Sequence, residues 1–403
     1  MLWKKFRGHV ASPAGFCGSA THAGIKKSGA LDLALIYCEG AEATAAGIFT
    51  TNRSAAAPVL LSRRHLVRSG GRARAIVVNS GNANACTGKA GMQIAEESAG
   101  VAAELLGIPR QQVLVASTGV IGKLMNPSQI THQLPALVAS LSGANAHPVA
   151  RAIMTTDAFP KVCALRGEME GRRVHLVGIA KGAGMIHPRM ATMLSFITTD
   201  VAVPAPDLKM MLSAAASDSF NRISVDGDRS TNDTVIVLSS GLSGIAACSG
   251  TLNGKALEAG LLEVCQSLAR MIVKDGEGAT KLVRIEVTGA KTQADADRAS
   301  RAIANSPLVK TALSGGDPNW GRIVCAVGYS GARFDPRKVD VRVNSLFLCR
   351  NGIHSGFDET AAQKQFSKRE FTLQVDLHQG KAAAHMWTCD FTGEYVRINA
   401  SRS

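Results

Sequence analysis

One stretch of the chain combines a glycine-rich loop, a proline and a threonine that begins an apolar run. Residues 181–192 read Lys-Gly-Ala-Gly-Met-Ile-His-Pro-Arg-Met-Ala-Thr, between the predicted strands 174–179 and 193–197. A hydroxyl in this position can attack the carbonyl before it, and the ester that forms can hydrolyse. The freed α-amine of Thr192 would then be the general base for its own hydroxyl. The pattern alone also fits an ordinary strand threonine.

Four further clusters of glycine and small polar residues lie at the ends of apolar runs. They span residues 79–88, 117–122, 226–233 and 317–322. Such loops expose backbone N–H groups, so each could bind an anion or stabilise an oxyanion. Each also fits an ordinary turn, and none has the spacing of a Walker A or dinucleotide loop. The aspartate-rich cluster 226–233 lacks the glutamate of a calcium loop, because Val237 occupies that position.

Strand and helix patterns alternate along the chain and position these clusters. Residues 75–78 and 113–116 are short apolar runs that lead into the first two clusters, which predicts strands ending in polar loops. Apolar residues recur every three or four positions over 91–106 and 257–271, which predicts helices. The alternation predicts an α/β or α+β architecture with several sheets and a domain boundary near Lys281.

The composition of the 403-residue chain narrows the classes of protein that it could belong to. Hydrophobic residues make up 46% and charged residues 19%, which is typical of a globular rather than a disordered protein. Aromatic residues make up 4%, too few for a platform that stacks single-stranded nucleic acid. The net charge of +14 is concentrated before residue 192, and a basic half attracts anions such as carboxylates, phosphates, nucleic acid or membrane surfaces.

Cysteine, histidine and apolar patterns argue against several further classes. Nine cysteines without a Cys-x-x-Cys pair do not indicate a disulfide framework, so we expect a reducing, cytoplasmic compartment. The ten histidines show no zinc-ligand spacing. No apolar run reaches the length of a membrane span, and the basic segment 1–7 is not followed by the apolar core of a secretory signal.

Seven motifs, taken together, closely resemble the ornithine acetyltransferase (glutamate N-acetyltransferase) family of arginine biosynthesis. The resemblance covers essentially the whole chain, and the motifs follow the family's order. They are Asn-Ser-Gly-Asn-Ala-Asn-Ala-Cys-Thr-Gly (79–88), Ser-Thr-Gly-Val-Ile-Gly (117–122), Thr-Thr-Asp (155–157), Met-Ala-Thr-Met-Leu (190–194), Asp-Gly-Asp-Arg-Ser-Thr-Asn-Asp (226–233), Asp-Gly-Glu-Gly-Ala-Thr-Lys (275–281) and Asp-Pro-Asn-Trp-Gly-Arg (317–322).

The resemblance implies a self-cleaving acetyltransferase. The chain would cut itself between Ala191 and Thr192, and the pieces 1–191 and 192–403 would stay associated, two of each. Thr192 would take acetyl from N-acetylornithine as an ester, release ornithine and pass the acetyl group to glutamate. Acetyl-CoA as a second donor, which would make the enzyme bifunctional, stays open. No metal or organic cofactor is implied, and the partners are small molecules rather than nucleic acid or a membrane.

The resemblance also assigns site residues and a fold. Thr118 and Gly119 match the family's oxyanion-hole pair. The matches to substrate-binding positions are Thr155, Lys181, Thr192, Glu277, Asn399 and, for the last Ser/Thr of the family, Ser403. A cation such as Lys181 suits the substrate α-carboxylate, and Glu277 suits the δ-amine of ornithine. The implied fold is a layered α/β/β/α sandwich of the N-terminal-nucleophile type over residues 1–280, with a C-terminal α/β domain over 281–403.

The sequence departs from the family pattern near the proposed cleavage site and at the tail. The departures are Ala183, His187, Arg189, Arg229 and an ending one residue shorter than usual. Two alternatives follow: an N-terminal-nucleophile amidohydrolase or aminopeptidase, with water as final acceptor, and a non-catalytic or specialised paralogue. The tail is expected to fold over the Thr192 pocket. Because the cleavage loop lies elsewhere in sequence, deleting residues 399–403 is expected to slow turnover but not cleavage.

Overall fold

The structure is a computed structural model that describes residues 3–187 and 193–400. The strands, in chain order, are β1 Lys4–Lys5, β2 Phe16–Thr21, β3 Leu33–Cys38, β4 Thr44–Phe49, β5 Ala75–Asn82, β6 Val113–Val120, β7 Lys161–Met169, β8 Arg172–Lys181, β9 Leu194–Thr199, β10 Ile223–Ser224, β11 Thr234–Ser239, β12 Leu282–Ala290, β13 Asp340–Val343, β14 Leu346–Arg350, β15 Ile353–His354, β16 Glu370–Asp376 and β17 Ala382–Cys389. The α-helices are α1 Ala57–Arg68, α2 Gly88–Leu106, α3 Ser128–Thr131, α4 Leu134–Ala139, α5 Val149–Ala152, α6 Ala205–Ser217, α7 Leu252–Lys274, α8 Gln293–Asn305, α9 Pro307–Gly315, α10 Trp320–Gly328, α11 Glu359–Phe366 and α12 Gly393–Ala400.

The chain divides into two compact units. Among the described residues, unit 1 comprises 3–182, 193–221 and 229–272, and unit 2 comprises 183–187, 222–228 and 273–400. Unit 2 therefore contains two short segments that come from the middle of the chain. The division into domains 1–280 and 281–403 stays a prediction.

Unit 1 is built on two sheets. One has six strands in the order β1-β7-β8-β9-β11-β4, and the other has four in the order β2-β3-β5-β6. Apolar side chains from both fill the space between them. Ile36 and Ile76 of the four-stranded sheet are buried in one core with Ile179, Phe196 and Ile236 of the six-stranded sheet. Burial of this apolar surface is what holds the two sheets together.

The outer faces of both sheets are covered by helices. Leu35 and Val77 point away from the inner core, as alternation along a strand requires, and pack in a second core with residues of α1 and α2. On the six-stranded sheet, Gly178 of β8 lies against Val264 and Leu268 of α7. The order of layers is helix, sheet, sheet, helix, so the α/β/β/α sandwich implied by the resemblance is confirmed.

Unit 2 is a seven-stranded mixed sheet with helices packed on it. The strand order is β10-β17-β12-β16-β13-β14-β15, in which β12 runs parallel to β16 and antiparallel to β17. Val283, Ile285 and Val287 of β12 are fully buried in one core with Ala299 and Ile303 of α8. This is the α/β arrangement expected for the C-terminal domain.

The elements predicted from periodicity are present. The apolar runs 75–78 and 113–116 begin β5 and β6, which pair in parallel and continue into the polar clusters. The helical pattern 91–106 lies within α2, and 257–271 lies within α7. Among the described helices, none has both the length and the hydrophobicity needed to cross a bilayer.

The contact between β8 and α7 gives a test of the packing. A Cβ added at Gly178 would lie 2.5 Å from Val264 Cγ1 and 2.8 Å from Leu268 Cδ1. Gly178→Ala should therefore lower the free energy of unfolding by about 1–3 kcal/mol, the usual cost of overpacking. Gly143→Ala is the control, because its added Cβ meets no atom within 4 Å. Urea unfolding with equal midpoints for both variants would contradict this close packing.

Candidate active site

The oxyanion pair proposed from the sequence lies at the end of β6, beside the end of β5. Gly119 has φ 136°, and a Cβ there would lie 2.2 Å from the carbonyl carbon of Gly81. Only glycine fits a backbone that is both in this conformation and this close to its neighbour. Thr118 is buried, and the Lys181 ammonium donates a hydrogen bond to its Oγ1 over 3.2 Å. The structure thus brings together two segments that are 63 residues apart in the sequence.

A buried carboxylate, Asp157, organises the surroundings of Lys181. It accepts hydrogen bonds from Lys161 Nζ at 2.7 Å, from the Gly182 N–H at 2.7 Å and from the Thr155 N–H at 3.0 Å. Burial alone would raise the pKa of Asp157, but Lys181, Lys161 and the Gly182 N–H outweigh it and lower that pKa to about 2. The carboxylate therefore stays ionised and fixes the backbone on both sides of the site.

The positive charges around Asp157 exceed its single negative charge. Lys161 and Lys181 are almost fully buried. The half-buried Lys26 adds a third cation within electrostatic reach of Lys181 and Asp157, and the buried Asp32 carboxylate offsets that added charge. Burial lowers the pKa of Lys26. A site with this excess of buried positive charge is suited to an anionic ligand such as a carboxylate.

Three polar clusters from the sequence meet in one hydrogen-bond network. The Asn232 amide donates to the carbonyl of Ala83 at 2.6 Å and to that of Ser117 at 2.8 Å. Ser117 Oγ in turn donates to Asn79 Oδ1 at 2.5 Å. Asn232 therefore links the residue that follows β5 to Ser117 of β6, which directly precedes Thr118 and Gly119. The sequence predicted these clusters individually but not that one amide joins them.

Asp233, the last residue of the aspartate-rich cluster 226–233, is completely buried beside the starts of β9 and β11. Its Oδ1 accepts from the Met193 N–H at 3.2 Å, and the Thr234 N–H donates to the Met193 carbonyl at 3.0 Å. Its Oδ2 has no hydrogen-bond partner among the described residues. Burial raises the pKa of Asp233 well above the usual value. Sequence reasoning treated this residue only as part of a turn network, so its place directly beside Met193 was missed.

Two other candidate residues meet within unit 2. Asn399 of α12 donates through Nδ2 to Glu277 Oε2 at 2.9 Å. Glu277 is 8% exposed, and its N–H donates to the Ala183 carbonyl at 2.8 Å. The carboxylate and the amide thus form a polar pair of the kind that could bind an ammonium group.

The remaining predicted positions divide between described and undescribed residues. Ala191, Thr192, Arg189 and Ser403 lie outside the described residues. Of the departures from the family pattern, Ala183 is buried, and Arg229 donates to the Thr51 hydroxyl at 3.4 Å.

Comparisons with known proteins agree with the motifs. A family model described as the ArgJ family matches residues 18–403. The arginine biosynthesis bifunctional protein ArgJ of Geobacter sulfurreducens is 50% identical over 96% of this chain and 98% of its own length. A glutamate N-acetyltransferase of Methanocaldococcus jannaschii is 48% identical, with 98% of both chains covered. A solved ArgJ chain from Bacillus halodurans is 41% identical with a TM-score of 0.50, and covers 52% of this chain and 99% of its own.

The two buried aspartates should give opposite pH dependences of stability. The lowered pKa of Asp157 contributes stability above the usual aspartate range, which is lost as pH falls towards about 2. The raised pKa of Asp233 has the opposite sign: stability falls as pH rises above the usual aspartate range, because only the unfolded chain ionises freely.

Asp157→Asn should therefore cost about 3 kcal/mol at pH 7, because it removes the ionised partner of a buried lysine, and much less at pH 2. Asp233→Asn should remove the loss of stability with rising pH. Chemical denaturation from pH 2 to pH 8 measures both. The same pH slope in the two variants would contradict the assigned electrostatics.

Proposed function

The chain belongs to the ArgJ family of acetyltransferases, and on that premise we propose that it transfers the acetyl group of N-acetylornithine to glutamate through an ester on Thr192. The observation that carries the proposal is the contact between the buried Lys181 ammonium and Thr118 Oγ1, at 3.2 Å. This contact supports the proposal, because a buried ammonium that could bind a substrate carboxylate lies next to the proposed oxyanion pair.

The first step of the proposal is self-cleavage. The Thr192 hydroxyl attacks the carbonyl carbon of Ala191, its proton passes to the Thr192 nitrogen, and the peptide C–N bond breaks to leave an ester. The break of the C–N bond frees the Thr192 α-amine, and water then hydrolyses the ester to give the Thr192 hydroxyl and the carboxylate of Ala191. The Met-Ala-Thr-Met-Leu motif at 190–194, directly after the loop with Gly182, Gly184 and Pro188, supports this step.

The second step is acetyl transfer. The α-amine takes the proton of the Thr192 hydroxyl as the oxygen attacks the acetyl carbonyl of N-acetylornithine. The proton then goes to the leaving nitrogen, ornithine departs and the acetyl ester remains. The amine of glutamate then attacks the carbonyl carbon of this ester. The acetyl group moves to the glutamate nitrogen, the bond to the Thr192 oxygen breaks, and that oxygen regains its proton.

Thr118 and Gly119 are proposed to stabilise the negative oxygen of each tetrahedral intermediate. Lys181 donates to Thr118 Oγ1, so the hydroxyl hydrogen of Thr118 is available for another acceptor. The Gly119 backbone is held in place beside Gly81. Donors that are already oriented stabilise a developing oxyanion without reorganisation, which is why they lower the barrier.

The binding residues divide by charge. We assign the substrate α-carboxylate to Lys181. We assign Thr155 to the same part of the site, because its N–H donates to Asp157 and Lys181 interacts with that carboxylate through its charge. We assign the δ-ammonium of ornithine to Glu277, with Asn399 donating to the same carboxylate. Ser403 is proposed as a further contact at the end of the chain. We also propose that the two pieces stay associated after cleavage, with two copies of each in the assembly.

Self-cleavage is tested by the mass of the purified protein. We expect two chains, residues 1–191 and 192–403, whose masses add up to the 42.1 kDa precursor plus one water. Thr192→Ala removes the attacking oxygen and should leave the chain intact. An intact chain in the unaltered protein as well would overturn both the nucleophile and the mechanism.

Acetyl transfer is tested by ornithine release from N-acetylornithine. Release should require glutamate, whereas the amidohydrolase alternative releases ornithine at the same rate without it. Thr118→Ala should lower kcat by about 100-fold with a smaller effect on KM, because an oxyanion donor acts mainly in the transition state. Thr360→Ala, at an exposed position of helix α11, is the control. Acetyl-CoA in place of N-acetylornithine tests the second donor in the same assay.

A further inference from the structure

The loop that leads into the proposed cleavage site is fixed by two acidic residues of unit 2. The first is Asp226, whose Oδ2 accepts from the Met185 N–H at 2.5 Å and whose Oδ1 accepts from the Ile186 N–H at 2.8 Å. The Ile186 carbonyl accepts from the N–H groups of Val225 at 3.0 Å and Gly227 at 3.2 Å. Ile186 is fully buried. The backbone at 185–186 is therefore held from both sides by the turn 225–227.

The second acidic residue is Glu277. Its N–H donates to the Ala183 carbonyl at 2.8 Å, and its carboxylate lies against Gly184 so closely that a Cβ there would be 2.5 Å from Oε2. A side chain at residue 184 would therefore require the Glu277 carboxylate to move. Residues 183–186 are thus fixed one after another, and the undescribed residues 188–192 follow shortly after.

This fixed loop contains a conformation that most residues avoid. Met185 has φ 59°, in the left-handed region, where a side chain other than glycine is disfavoured. Its side chain is 36% exposed, so packing alone does not impose the conformation. The hydrogen bonds from the Met185 and Ile186 N–H groups to Asp226 oppose relaxation of the loop.

Both acidic residues are in turn bound by the C-terminal helix α12. The Tyr395 hydroxyl donates to Asp226 Oδ2 at 3.3 Å, which is the oxygen that accepts from Met185. Burial and the facing Asp226 carboxylate raise the pKa of Tyr395, so the hydroxyl keeps its proton and remains a donor. Asn399, one turn later on the same face, donates to Glu277 Oε2 at 2.9 Å and to the Tyr395 carbonyl at 3.0 Å.

We propose that α12 is a positioning element for self-cleavage: through Tyr395 on Asp226 and Asn399 on Glu277 it holds the loop 183–186 in the conformation that presents the scissile peptide. This inference rests on the proposed self-cleavage. It replaces the expectation that tail and cleavage loop act separately because they are distant in sequence. Tyr395 and Asp226 are positioning residues, since neither is assigned a contact with substrate or with the reacting atoms.

The test follows the intact precursor over time by pulse labelling and mass spectrometry. Tyr395→Phe removes one hydrogen bond to Asp226 and should slow cleavage about 3- to 10-fold. Asp226→Asn replaces an acceptor of the Met185 N–H by a donor and should slow it by about 30-fold or more. The controls are Tyr329→Phe, at an exposed tyrosine, and Asp358→Asn, at the exposed N-cap of α11, where asparagine caps a helix equally well. Both controls should cleave at the rate of the unaltered protein.

A rescue variant separates loop positioning from a general loss of folding. Glycine adopts the left-handed conformation readily, so Tyr395→Phe combined with Met185→Gly should recover most of the lost rate. A merely structural role of α12 predicts slow cleavage that Met185→Gly does not restore, and that result would overturn the proposal. Tyr395→Phe and Asp226→Asn at the unaltered rate would overturn it too. Absence of cleavage in the unaltered protein would instead overturn the proposed function itself.

Discussion

The candidate active site of unit 1 depends on one buried charge, the carboxylate of Asp157. An ionised carboxylate inside a protein is stable only when cations and N–H donors replace the water that it has lost. Here Lys161 and the Gly182 N–H donate to it directly, and Lys181 acts on it through its charge. Because these groups come from β7 and the end of β8, the same interaction that keeps Asp157 ionised also sets Lys181 against Thr118.

Much of the scaffold could be predicted from the sequence because it follows from local patterns. The β-branched runs that begin β5 and β6, and the helical periodicity of α2, report which face of each element is buried. The sandwich fold was predicted from the motif resemblance, because no local pattern in the sequence specifies it. The motif resemblance also predicted Thr118 and Lys181 as site residues, and in the structure Lys181 Nζ lies 3.2 Å from Thr118 Oγ1.

The remaining features of the fold and the site could not be predicted, because they are hydrogen bonds between residues that are distant in sequence. A buried aspartate such as Asp233 looks the same in a sequence as an exposed turn residue, and only the pairing of β9 with β11 places it next to Met193. The contact of Tyr395 with Asp226 joins positions 169 residues apart. Periodicity identifies the faces of elements, but it does not identify which polar side chains meet when those faces pack.

The position of α12 at the end of the chain has a consequence for the timing of biosynthesis. A ribosome releases residues 393–400 only after everything before them has been made. If the loop before residue 191 needs that helix, a nascent chain cannot cut itself while its C-terminal half is still unmade. In the proposed reaction, cleavage would then occur only on full-length chains, and no N-terminal piece would be released before the C-terminal piece has been made.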